Sequence, residues 1–112
     1  MMKEALLAAA IFSLTHGAVA ADFLADRHAK VGVTCESCHG PDQKNLEMPT
    51  LDTCTGCHNL AALTEKTAKL KPTNPHISPH YQDQLDCTNC HMGHAEGVNF
   101  CNQCHQFDFK VR

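Results

Sequence analysis

TCESCHG, residues 34–40, sets Cys35 and Cys38 on either side of two residues and puts His39 directly after the second cysteine. A Cys-x-x-Cys pair by itself fits a redox dithiol, half of a zinc site or part of a disulfide framework. With a histidine straight after it, the unit is the attachment signature of a c-type haem. One copy leaves the choice open.

Repetition closes it. The unit recurs as Cys54, Cys57, His58, as Cys87, Cys90, His91, and as Cys101, Cys104, His105, which uses all 8 cysteines of the chain. With 9 histidines in 112 residues, a histidine following all four pairs by chance has a probability of roughly 4 in 100,000. A zinc site would not explain these four histidines together with an export leader.

Such a leader is legible in MMKEALLAAAIFSLTHGAVA, residues 1–20: Lys3 near the start, an apolar run from Ala5 to Leu14, and small residues at Ala18 and Ala20. This is the pattern of a secretory signal peptide cut after Ala20, and its apolar run is well short of the ~20 residues of a membrane span. The expected organisation is therefore a cleaved signal peptide, 1–20, and one exported domain, 21–112, in the periplasm.

Removing residues 1–20 takes away Lys3, Glu4 and His16, so 8 basic and 11 acidic residues remain and the charge stays at −3. Haem propionates would make it more negative. No basic stripe invites nucleic acid.

A domain of this size has little apolar material and ordinarily needs staples; disulfides are the usual solution in an oxidising compartment. Here the cysteines would go to haems, and the haems would supply the core. The fold class expected is a multihaem cytochrome, a mostly irregular chain with a few short α-helices around four covalent c-type haems and little or no β.

Each haem iron takes one axial ligand from its motif and has a second position that decides between electron transfer and chemistry. His39, His58, His91 and His105 belong to the motifs, and His28, His76, His80 and His94 remain. Four irons meet four spare histidines, which predicts bis-histidine coordination throughout. Met48 and Met92 then find no vacancy and are expected to pack against haem edges.

Spacing suggests a pairing. His28, His80 and His94 each precede the first cysteine of a motif by seven positions. This assigns His28 to the first haem, His80 to the third and His94 to the fourth, with His76 left for the second; His76 and His80 could be exchanged. His94 cannot serve the third, because the two ligands of one iron hold their Cα atoms roughly 12 Å apart and three residues span at most ~11 Å.

Local signals predict a helix over FLADRHAK capped by Asp22 and ended by Gly32, and a second over LAALTEKTAKL capped by Asn59 and stopped by Pro72. Three prolines in KPTNPHISPH, residues 71–80, stiffen the loop that carries His76 and His80.

ADFLADRH, CESCH, HISPH, CTNCHMGH and FCNQCHQFDF together resemble the tetrahaem cytochrome domain of periplasmic flavocytochrome c fumarate reductases and the related small tetrahaem cytochromes, over nearly all of residues 21–112. The resemblance implies bis-His irons with distal ligands at His28, His76, His80 and His94. In the flavocytochromes this domain feeds a fused flavin domain that reduces fumarate or a related unsaturated acid. No GxGxxG occurs in these 112 residues, so the flavin half is expected to be absent or on another polypeptide.

The expected function is electron carriage rather than catalysis, from a membrane-bound quinol-oxidising cytochrome to a terminal reductase, a separate flavoprotein subunit of fumarate-reductase type, with only peripheral contact at the membrane. The alternatives are a multihaem reductase acting directly on an inorganic or metal substrate, which needs an open iron, and a general periplasmic shuttle toward extracellular acceptors.

Overall fold

A computed structural model describes residues 22–112; the signal peptide expected at 1–20 lies outside the described residues. Four short helices, α1 (Leu24–Lys30), α2 (Cys35–His39), α3 (Leu51–Thr55) and α4 (Leu60–Lys66), are followed by two 3-10 turns, Cys87–Asn89 and Phe100–Gln103. Among the described residues there is no strand, only an isolated bridge between Ser78 and Gln82. No helix among them is long and apolar enough to cross a membrane.

α1 forms where the sequence predicts it, but Asp22 does not cap it. Phe23 holds the cap position, and its amide donates to Asp26 Oδ2 at 3.0 Å. Asp22 instead lies along the helix, accepting from Lys30 Nζ through its carboxylate and from Arg27 through its backbone oxygen at 2.6 Å. Asp26 supplies the carboxylate at the start of the helix, which leaves the Asp22 carboxylate for its charge-assisted bond with Lys30. The amides of Val31 and Val33 both return to His28 O, so the chain reverses at once after α1.

Asn59 does cap α4, its Oδ1 accepting from Ala62 N at 2.9 Å. That helix ends at Lys66, short of the predicted Leu70. The cause is Thr67, whose hydroxyl bonds back to Leu63 O at 2.8 Å and also reaches Asn74 and His76. A side-chain hydroxyl competing for helix carbonyls favours a terminus over an interior.

Side-chain packing alone builds no core here. No hydrophobic residue among those described is buried, and Ser78 is the one buried polar residue. Chain-to-chain hydrogen bonds do the positioning instead. Ala25 N donates to Gly93 O at 2.8 Å, tying α1 to the block after the third motif. Asp86 Oδ1 accepts from Leu51 N at 2.6 Å across 35 positions, so a residue next to the third motif satisfies a free amide at the start of α3. α3 also packs against α2.

Candidate functional site

Each Cys-x-x-Cys-His unit folds into a single tight turn. In the second, third and fourth units the histidine amide bonds the carbonyl of the first cysteine at 2.9, 2.8 and 2.9 Å, and the second cysteine amide shares that carbonyl at 3.2, 3.1 and 3.1 Å. The first unit forms α2 itself. Both sulfurs and the imidazole are thus held on one turn. No two of the eight cysteines are joined as a disulfide.

The eight histidines of residues 22–112 come together in four pairs. His39 meets His94, His28 meets His58 and His80 meets His105, each with ring centres 6.0 Å apart; His76 meets His91 at 6.4 Å. Every pair joins one motif histidine to one spare histidine. The interplanar angle varies from 5° to 76°, while the separation stays within 0.4 Å. Ring-on-ring contact would tie distance to orientation, because faces and edges prefer different separations. A fixed distance with free rotation is what a common atom between the rings would impose. Two metal–nitrogen bonds of about 2 Å, with each ring centre about 1 Å behind its nitrogen, give about 6 Å.

Tautomers agree with that geometry. Nδ1 of His28 lies 2.8 Å from Leu24 O, Nδ1 of His39 lies 2.8 Å from Glu47 O, and Nδ1 of His91 lies 3.1 Å from Arg112 O. A carbonyl only accepts, so each Nδ1 carries the proton and Nε2 keeps the lone pair that a metal needs. Burial, and then the charge of His91, lowers the pKa of His76. Both causes favour the neutral, ligating form.

The histidine contacts differ from the pairing expected from spacing. His28 lies against His58 of the second motif and not His39 of the first; His94 lies against His39 and not His105; His80 lies against His105 and not His91; His76 lies against His91 and not His58. A seven-residue offset describes the local chain, but the reversal after α1 and the Ala25–Gly93 and Leu51–Asp86 bonds bring histidines to motifs elsewhere in the chain. Met48 and Met92 are both exposed.

Several supporting residues carried no sequence signal. Glu47 N donates to His39 O at 3.0 Å while His39 Nδ1 donates to Glu47 O, a reciprocal pair that orients the first imidazole. Gly40, at φ 75°, leaves room for the Glu47 carboxylate, which lies 3.3 Å from where a Cβ would sit. Phe107 stacks on His105 with ring centres 4.5 Å apart. Asn102, inside the fourth motif, clamps Phe107 by accepting from its amide at 2.8 Å and donating to its carbonyl at 3.1 Å.

The motifs also adjoin one another. Cys54 is pushed up to about 11 by burial, then by the neighbouring Cys87 thiol, with Cys38 and Asp86 adding to it. Burial followed by Cys90 raises Cys101. The elements that carry the first three units also pack in series, α2 against α3 and α3 against the Cys87–Asn89 turn. Among the described residues no three His, Cys, Asp or Glu side chains converge into a metal-binding group. Imidazoles in twos beside paired thiols suit a metal whose remaining ligands come from a macrocycle.

The family model for Cytochrome c3 matches residues 27–106. The chain belongs to the cytochrome c3 family. Covalent c-type haem and electron transfer come with that membership. This cytochrome is 38% identical over 88 residues to the acrylate reductase cytochrome subunit of Shewanella woodyi, covering 75% of this chain and 74% of that protein. It is 36% identical over 86 residues to the probable fumarate reductase Ifc3 of Shewanella frigidimarina, covering 74% of this chain but 14% of that protein. The cytochrome c-type protein Cgr1 of Eggerthella lenta is 37% identical over 51 residues, 44% of this chain and 22% of its own length. No solved structure matches.

Proposed function

We propose that this cytochrome carries four haems, each attached through one Cys-x-x-Cys unit and ligated by one histidine pair, and passes electrons to a reductase on a separate polypeptide. Cys35 and Cys38 with His39 and His94 form the first site; Cys54 and Cys57 with His58 and His28 the second. Cys87 and Cys90 with His91 and His76 form the third; Cys101 and Cys104 with His105 and His80 the fourth. The observation that carries this reading is the pairing itself, four motif histidines with four others at 6.0–6.4 Å.

Two protein ligands on each iron leave no position for substrate, and bis-His ligation holds potentials below those of Met/His sites. That suits conduction rather than direct reduction of a substrate. Packing of the elements that carry the first three units would bring neighbouring haem edges together, and so open a route through the molecule. Residues 21–112 form the haem domain and residues 1–20 direct it to the periplasm, where a membrane quinol-oxidising cytochrome is the donor.

The chain spans 74% of a cytochrome subunit and 14% of a fumarate reductase, and the names of both relatives support a reductase as the acceptor. The acceptor is then a flavoprotein subunit acting on an unsaturated acid such as acrylate or fumarate. Redox partners of this kind meet through small interfaces, with the negative charge steering a basic face.

The test is purification of the native protein followed by intact mass, carbon monoxide binding and an assay for co-purifying flavin. Four haems, no rapid carbon monoxide complex when reduced, and stoichiometric flavin on a second chain are expected. A rapid carbon monoxide complex in the undamaged protein would mean an open iron and would overturn the carrier reading. Four closed haems without flavin would replace the stable subunit by a free shuttle.

A further inference from the structure

Three of the paired histidines donate Nδ1–H to a backbone carbonyl, whereas His76 meets a side chain: its Nδ1 lies 2.9 Å from Thr67 Oγ1. The roles in this contact follow from proton counting. A hydroxyl has one proton to donate. Thr67 Oγ1 has two strong acceptors in reach, Leu63 O at 2.8 Å and Asn74 Oδ1 at 2.7 Å, and neither can donate to it. The identity of the Asn74 oxygen is settled by its neighbours, because Oδ1 accepts from His76 N at 3.0 Å while Nδ2 donates to Thr64 O at 2.7 Å. Thr67 therefore spends its proton on a carbonyl, and His76 Nδ1–H donates to Thr67.

We propose that Thr67 is a positioning residue that fixes the His76 ring and tunes the reduction potential of the third haem site. The proposal rests on the ligand reading above, in which His76 and His91 share an iron. A hydrogen bond from Nδ1–H makes an imidazole a stronger donor to its metal, and outer-shell bonds of this kind are an accepted lever on the potential. A stronger donor stabilises the ferric state over the ferrous. By passing its own proton to Leu63 or Asn74, Thr67 becomes a better acceptor for His76, since chained hydrogen bonds polarise one another.

The network also gives a reason for the early end of α4. Thr67 sits at the C-cap, where its hydroxyl is free to serve the Asn74–His76 turn as well as Leu63. Of the four Nδ1 partners, only this one can be altered by a side-chain substitution.

The experiment is a spectroelectrochemical titration of the holo-protein, fitted as four one-electron steps, for wild type, Thr67→Val and Thr67→Ser. Valine keeps the shape and removes the acceptor; serine keeps the acceptor. One step of the four is expected to move to higher potential in Thr67→Val while the other three stay, and Thr67→Ser is expected to restore the wild-type curve. Unchanged steps in Thr67→Val, or an equal shift in Thr67→Ser, would overturn the proposal. Should Thr67→Val not mature with all its haems, Thr67→Ala carries the same prediction. Haem count and low-spin spectra of the wild type test the ligand reading independently: an open or methionine-ligated iron there would remove its basis, whereas intact bis-His spectra with no shift would reject Thr67 alone.

Discussion

The rings of His28 and His58 stand 76° from parallel, whereas the other three histidine pairs depart from parallel by 5°, 11° and 30°. If each pair holds a haem iron, parallel imidazoles would donate into the same one of the two iron d orbitals that rise out of the haem plane, and so split that pair. Perpendicular imidazoles donate into both and leave them nearly equal in energy. The second site should therefore be the electronic outlier of the four. Electron paramagnetic resonance of the fully oxidised protein is expected to show one strongly anisotropic low-spin component beside three more rhombic ones. His28→Met should remove that component. Four equivalent signals would mean that the second pair is not held crosswise.

His94 lies against His39, so its loss should open the first site. His94→Ala is expected to create one iron that binds carbon monoxide when reduced. In a Cys35→Ala/Cys38→Ala background, which lacks the first haem, adding His94→Ala should open nothing further. A new carbon monoxide complex in that background would restore the pairing suggested by spacing, with His94 on the fourth haem.

Asn102 fastens Phe107 over His105 by two hydrogen bonds. Net contributions of about 1 kcal/mol per bond predict that Asn102→Ala lowers stability by about 1–2 kcal/mol. Denaturation followed by the haem absorbance measures this. Asn102→Asp, which keeps the acceptor for the Phe107 amide, should recover about half of the loss.

Gly97 is where residue 111 comes in. A Cβ there would collide with the Val111 side chain, and the next residue, Arg112, supplies the oxygen that holds His91 Nδ1. Gly97→Ala should cost about 1–3 kcal/mol by overpacking. Combining it with Val111→Ala should cost less than the two single changes together, because the collision is removed. Strict additivity would show that the contact carries no energy.

Lys30, first through its hydrogen bond and then its charge, holds the Asp22 carboxyl below the usual carboxylate range. A carboxyl with a depressed folded-state pKa stabilises the fold above its unfolded value, and that contribution is lost as pH falls through the folded value. The difference in melting temperature between wild type and Asp22→Asn should thus be small and constant at neutral pH. It should begin to shrink near pH 4, where the free carboxyl protonates, and vanish only below the lower folded-state value. High salt should shrink it as well, since the pair is exposed.

Much of this protein was legible in the order of its residues. Attachment motifs are local: Cys, Cys and His within five positions form one turn, so spacing alone identifies them, and Asn59 announces α4 by the same local logic. The partition of histidines into motif and spare members also needs nothing but counting. What remained hidden was which spare histidine meets which motif, and which residues hold the rings. His28 and His58 are thirty positions apart, His39 and His94 fifty-five, and these meetings depend on long-range bonds such as Leu51 N to Asp86. Thr67 and Asn74 look like ordinary polar residues near a helix end until the fold sets His76 beside them. Local chemistry is written in spacing because a turn closes over a few residues. Ligand pairing and its tuning belong to the tertiary structure because they arise only when distant turns are packed against each other.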